Sequence, residues 1–121
     1  MENLIIEATN ETPQVNFNGN SGIFSISGKS YPENVNNFYK PLFDYINLYK
    51  SNPQEKTTIE FKWLYYNTST SKMIVKIIML LKDVSKDFEI KWICKKEFDV
   101  IIQKGNELKE VLEINLNIEF E

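Results

Sequence analysis

Apolar residues alternate with polar ones in several separate stretches of the chain, and between those stretches they recur at helical spacing. Residues 4–8 read as a first short strand, closed by Thr12-Pro13. Val15 and Phe17 alternate with polar neighbours, Asn18-Gly19-Asn20-Ser21-Gly22 is a turn signal, and Phe24 and Ile26 resume on one face. A strand followed by a hairpin is the prediction. Ser30-Tyr31-Pro32-Glu33 has the composition of a helix start, and Val35, Phe38, Leu42, Tyr45, Ile46 and Tyr49 follow at helical period. Pro41 lies inside that pattern and predicts a kink or a delayed start.

Residues 57–66 form the clearest central strand. Ile59, Phe61, Trp63 and Tyr65 fall on one face, and Glu60, Lys62, Leu64 and Tyr66 on the other. Asn67, Thr68 and Ser69, all good N-cap residues, follow at once. A second helix over residues 69–85 is predicted, with Ile74, Ile77, Ile78, Leu81 and Val84 as its core stripe. Phe88, Ile90, Trp92 and Cys94 alternate as another strand, residues 97–104 suggest a short helix ended by Gly105, and residues 112–120 alternate as a last strand. The β-α-β-α-β middle calls for right-handed crossovers and parallel pairing. The expected fold is a single α/β domain over residues 1–121, with a mixed sheet of about six strands and two main helices largely on one face.

Composition narrows the chemistry. The chain has no His, and all 14 of its basic residues are Lys. Without His there is no Ser-His-Asp or Cys-His pair and no imidazole base or ligand. Without Arg there is no bidentate phosphate fork. Net charge is -3 and the lysines are scattered among acids, which argues against nucleic acid. One cysteine, Cys94, excludes an internal disulfide, and its alternation with Trp92 and Ile90 reads as core. Asp83, Asp87 and Glu89 read as a solvated turn before they read as a Mg²⁺ site. No apolar run is long enough for a membrane span, and the opening MENLIIEATNETP is too short and acidic for a signal peptide. The expectation is a cytoplasmic protein with no metal and no cofactor.

The stretch with most chemistry is Tyr66-Asn67-Thr68-Ser69-Thr70-Ser71-Lys72, a run of hydroxyls at a strand-to-helix junction. A phosphate there would meet free helix N–H groups and Lys72. On residues alone the run reads first as plain helix capping, which is far commoner than a regulatory phosphosite. Along the second helix, Met73, Lys76 and Leu80 are expected outward, on the face continuing from Thr68, as a partner-binding surface.

That block resembles the Asn-Thr-Ser-x-Ser-Lys signature of the SiaC family of bacterial regulatory phosphoproteins. Leu4-Ile5-Ile6-Glu7-Ala8-Thr9, Ile26-Ser27-Gly28-Lys29-Ser30-Tyr31-Pro32-Glu33 and Phe38-Tyr39-Lys40-Pro41-Leu42 are similar to that family as well, in order. The resemblance implies a fold like anti-sigma-factor antagonist (STAS-like) domains and phosphorylation on Thr68, with Asn67, Ser69, Thr70, Ser71 and Lys72 around it. It implies a Ser/Thr kinase, a PP2C-type phosphatase and, as output partner, a diguanylate cyclase bound and activated by the unphosphorylated form in cyclic di-GMP and biofilm signalling. Cys94-Lys95-Lys96-Glu97-Phe98 departs from the family, whose members tend to be strongly acidic there. Two other functions fit the residues: a constitutive interaction domain in which Thr68 is only a cap, and a small-ligand binder at the same junction.

Overall fold

The computed structural model describes all 121 residues. Six strands and three helices follow one another as β1 (Leu4–Ile6), β2 (Gln14–Asn18), β3 (Ile23–Ser30), α1 (Val35–Tyr49), β4 (Lys56–Tyr66), α2 (Thr68–Leu81), β5 (Asp87–Cys94), α3 (Asp99–Leu112) and β6 (Leu116–Phe120). They form one sheet in the order β1-β2-β3-β4-β5-β6. The first two pairings are antiparallel hairpins, and β3-β4, β4-β5 and β5-β6 are parallel. Each parallel step is a strand-helix-strand crossover moving the same way across the sheet, and the right-handed connection that such units favour collects the helices on one face.

Burial follows that asymmetry. Val15, Phe17, Phe24, Ile26, Ile59, Phe61, Trp63, Ile90, Trp92 and Leu116 point under the helices and are buried. They meet Leu42 and Ile46 of α1, Ile74, Ile77, Ile78 and Leu81 of α2, and Ile101 of α3. The opposite face is wet and carries a polar ladder. There Ser25 donates to Glu60 at 3.0 Å, Lys56 reaches Glu89 at 3.4 Å and Lys62 pairs with Glu121 at 2.7 Å. Half-exposed ion pairs of this kind add little to stability, but they keep the open face soluble.

Four expectations change. First, α1 starts at Val35 with Asn34 as its cap, the Asn34 side chain accepting from the Asn37 N–H at 3.1 Å. Ser30 ends β3 and is buried. The helix passes through the exposed Pro41 without interruption. Second, α2 ends at Leu81, short of Ser85. Third, α3 is a full helix that does not stop at Gly105. An added Cβ at Gly105 would lie 2.7 Å from Trp92 Cδ1 and Nε1, so this glycine lets α3 lie close against the sheet. The helix ends instead at Glu113, which adopts the left-handed conformation at φ 53°, so Leu112 belongs to α3 and the last strand starts at Leu116.

Fourth, the alternation of β4 slips. Gly28 pairs with Trp63 but Lys29 pairs with Tyr65, which leaves Leu64 as an extra residue opposite β3. Gly28 takes φ 109° at that shift. Beyond the bulge, Tyr66 turns under the helices and is buried, while Tyr65 turns to the open face against Tyr31, ring centroids 5.8 Å apart. The sequence pattern predicts the reverse for these two tyrosines.

Candidate functional site

The junction between β4 and α2 is held by backbone and buried hydroxyls. The Asn67 N–H donates to the Ser30 carbonyl at 3.1 Å. The Asn67 side chain accepts from the Thr70 N–H at 3.0 Å, so Asn67 is the N-cap of α2. Thr68 is therefore the first residue inside the helix and not its cap. Thr70 is fully buried. Its hydroxyl donates to the Ser30 carbonyl at 3.0 Å and lies 2.8 Å from the Ser30 hydroxyl, which lies 2.8 Å from the Tyr39 hydroxyl. Counting protons fixes the direction: Tyr39 donates to Ser30 Oγ, Ser30 to Thr70 Oγ1, and Thr70 to the Ser30 carbonyl. This chain of hydroxyls ties α1, β3 and α2 together beneath Thr68. Burial pushes the Tyr39 phenol up to about 12, outweighing the lowering influence of the nearby Ser30 and Thr70 hydroxyls.

The remaining side chains of the block point elsewhere. Thr68 is exposed, and its hydroxyl makes no hydrogen bond; only its carbonyl is used, accepting from Ser71 Oγ at 2.5 Å. Ser69 is exposed on the opposite flank. Thr68, Ser71, Lys72 and Val75 form one wall of an open cleft of about 380 Å³. The other wall is α3, with Lys104, Glu107, Leu108 and Val111, and Tyr66 lies at its base.

Lys104 is the residue that sequence reasoning missed. Its Nζ lies 4.2 Å from the centroid of the Tyr66 ring and donates to the Tyr66 carbonyl at 3.4 Å. Tyr66 packs on Trp63 and Trp92, ring centroids 5.3 and 6.3 Å away. Burial, and then the Glu107 carboxylate, raise the Tyr66 phenol above the usual range. Thr68 thus shares its cleft with two lysines from different helices. The only sequence signal for the second was a helical period running past Gly105, through Ile101, Leu108 and Leu112.

The expected partner surface is displaced from this cleft. Met73 and Leu80 are half-buried against the core, and Lys76 Nζ sits 4.2 Å over the Phe43 ring of α1. These three residues line the α1 flank of α2, whereas Thr68 faces α3. The face continuing from Thr68 is Lys72, Val75 and Met79. Among the other candidates, Cys94 is buried, with its thiol raised first by burial and then by Glu121. Glu89 is engaged by Lys56 and by Asn117, while Asp83 and Asp87 are exposed. Trp63 and Trp92 are core residues. No helix is long and apolar enough to cross a membrane.

Comparison with known proteins agrees with this fold. A 25% identical relative, an uncharacterized protein of Pseudomonas aeruginosa strain UCBPP-PA14, aligns over 113 residues, 91% of this chain and 90% of that protein. The solved structure of SiaC of Pseudomonas aeruginosa shares the fold over 100% of both chains at TM-score 0.89 and 23% identity. A chain from the crystal structure of the diguanylate cyclase SiaD in complex with its activator SiaC, also from Pseudomonas aeruginosa, does so at TM-score 0.89 and 23% identity over 98% of this chain and 99% of that one. The family model described as SiaC family regulatory phosphoprotein matches residues 6–121, and the chain therefore belongs to the SiaC family, a family of regulators rather than enzymes.

Proposed function

We propose that the chain is a partner switch worked by phosphorylation of Thr68. A Ser/Thr kinase transfers the γ-phosphoryl group of ATP to Thr68 Oγ1, takes up the hydroxyl proton and releases ADP. A PP2C-type phosphatase hydrolyses the ester and restores the hydroxyl. The unphosphorylated form binds and activates a diguanylate cyclase, which raises cyclic di-GMP and favours biofilm. The observation that carries the reading is the state of the Thr68 hydroxyl. It is exposed and free of hydrogen bonds, and the capping role falls to Asn67. Such a hydroxyl can be modified without dismantling α2, and the added charge of about -1.5 to -2 changes what docks beside it. The solved complex of SiaD with its activator SiaC, on the same fold, supports a cyclase as the partner class.

In this reading the partner seats on the crest of α2, where Lys72, Lys76 and Met79 are exposed, with Met73 and Leu80 along its edge. The test is to map phosphate on the peptide spanning residues 62–72 of the native protein. Cyclase activation by the unmodified chain is then compared with activation by the chain carrying phosphothreonine at 68. Activation lost on phosphorylation is the expected result. Equal activation by both forms, or no phosphate on Thr68 under any growth condition, rejects the switch.

The cleft itself favours a second reading, a small anionic ligand held by Lys72 and Lys104. A concentration-dependent rise in melting temperature with such a ligand, abolished in Lys104→Gln, would replace the switch by a binding site.

A further inference from the structure

A phosphate on Thr68 enters a cleft that already holds three charged groups. Lys72 projects from the next turn of α2, Lys104 from the middle of α3, and Glu107 from α3 one turn further on. Lys104 Nζ is near the acceptor at the outset, since it donates to the carbonyl of Tyr66, two residues before Thr68. Its present partners hold it weakly. One is the Tyr66 ring at 4.2 Å, and the other is that carbonyl at a long 3.4 Å. A phosphate dianion offers the ammonium a full opposite charge as well as acceptor oxygens, which a neutral carbonyl and a ring do not.

We infer that Lys104 is the arm that holds phosphothreonine 68: on phosphorylation its ammonium leaves the Tyr66 ring and pairs with the phosphate, while Lys72 closes the clamp from the α2 side. The switch then acts by tying α2 to α3 across the cleft and filling the groove between them, as well as by adding surface charge. Lysine suits this role because a point charge on a flexible stem tolerates the change of partner without a fixed fork geometry. Glu107 opposes the clamp. Its carboxylate is exposed, accepts from Gln103 Nε2 at 3.2 Å and repels the phosphate from the same wall that supplies Lys104. Two ammonium groups against one carboxylate leave the cleft net positive before the phosphate arrives.

This inference rests on Thr68 being the acceptor, and its test is independent of the kinase. The full chain is prepared with phosphothreonine installed at position 68, and the phosphorus NMR signal is followed through a pH titration. Nearby lysines favour the dianion, so the second pKa falls below the unperturbed value of about 6. Lys104→Gln raises it by about half a pH unit, the effect expected for one unit charge at several ångström in water-like surroundings. Glu107→Gln lowers it by a similar amount. It leaves Lys104 in place, so the test survives even if Lys104→Gln perturbs packing on Tyr66. Lys109→Gln, an exposed charge on α3 outside the cleft, is the control. The clamp is overturned if Lys104→Gln and Glu107→Gln move the titration no more than Lys109→Gln does. Failure to find phosphate on Thr68 in the native protein would instead reject the acceptor reading and leave this titration unchanged.

Discussion

Thr68 and Thr70 stand two residues apart, and they should respond to the same substitution to very different degrees. Valine replaces the hydroxyl by a methyl group of similar size, so it removes hydrogen bonding while keeping shape. At Thr70 the loss can be followed proton by proton. The Ser30 carbonyl keeps one donor, the Asn67 N–H at 3.1 Å. The Ser30 hydroxyl loses its acceptor. It can turn to Tyr39, but the Tyr39 proton is then stranded. Either way one O–H group is left without an acceptor among three residues that are 0% exposed. A stranded buried donor costs about 1–3 kcal/mol. For a chain of this length about 2 kcal/mol corresponds to a fall of roughly 8 °C in melting temperature.

Thr68→Val removes an exposed hydroxyl with no partner and stays within about 0.5 kcal/mol, or about 2 °C. Asn67→Ala removes the cap of α2 and falls between them, at about 1 kcal/mol. Thermal melts by circular dichroism, checked by urea denaturation, give the order Thr70→Val, then Asn67→Ala, then Thr68→Val. A Thr68→Val loss as large as that of Asn67→Ala would refute the reasoning. It would mean that the Thr68 hydroxyl carries structural load, which a freely modified residue should not.

Two further predictions follow from the buried side of the fold. Gly105→Ala is expected to destabilise by about 1–3 kcal/mol, because the new Cβ strikes the buried Trp92 ring, whose Nε1 donates to the Ile101 carbonyl at 2.8 Å. Helix propensity alone predicts a gain of about 1 kcal/mol, so a rise in melting temperature would overturn the packing argument. Alkaline stability should fall between pH 10 and 12. Burial holds the Tyr39 phenol up to about 12, above its ordinary 10, so the folded state keeps a proton that the unfolded chain releases. The stabilisation is therefore complete below pH 10 and lost as pH rises toward 12, about 2–3 kcal/mol in all, with Tyr66 acting in the same direction. Phenolate absorbance should show Tyr39 and Tyr66 ionising only as the fold melts, and reversible ionisation of all six tyrosines in the folded protein would contradict this.

The element order was legible because the helices cover only one face of the sheet. Each strand carries a wet row beside a dry one, and a period of two is then visible in Phe24 and Ile26 or in Ile90 and Trp92. The Asn67 to Lys72 block was legible as a helix start because short polar side chains compete for the backbone. The extent of α3 was hidden by Gly105, whose usual meaning at a helix end conceals a packing contact with a tryptophan from another strand. The outward face of α2 was legible only in part: Lys76 is exposed, but Met73 and Leu80 are half-buried, and such residues suit a surface and a helix-helix seam equally well. Only the neighbouring α1, with Phe43 under Lys76, decides between the two. For Lys104 the sequence offered only a helical period running past Gly105. The role of Lys104 depends on the sheet order that sets α3 beside α2.

The cleft depends most on a feature with no local signature. Had β4 kept its alternation to the end, Tyr66 would have faced the open side of the sheet with Glu60 and Lys62, and Tyr65 would have been the residue under the helices. The extra residue at Leu64 reverses that phase just before the turn into α2. It places a buried phenol between Trp63 and Trp92, directly behind the first turn of the helix. Lys104 needs that ring as its resting place, and Glu107 acts on the same phenol. One inserted residue in a strand therefore does two things at once. It builds the floor on which α3 meets α2, and it stations a cation within reach of Thr68 while keeping it off the hydroxyl. The proposed switch at Thr68 needs both a free hydroxyl and a waiting counter-charge, and here the sheet supplies the second while the Asn67 cap supplies the first.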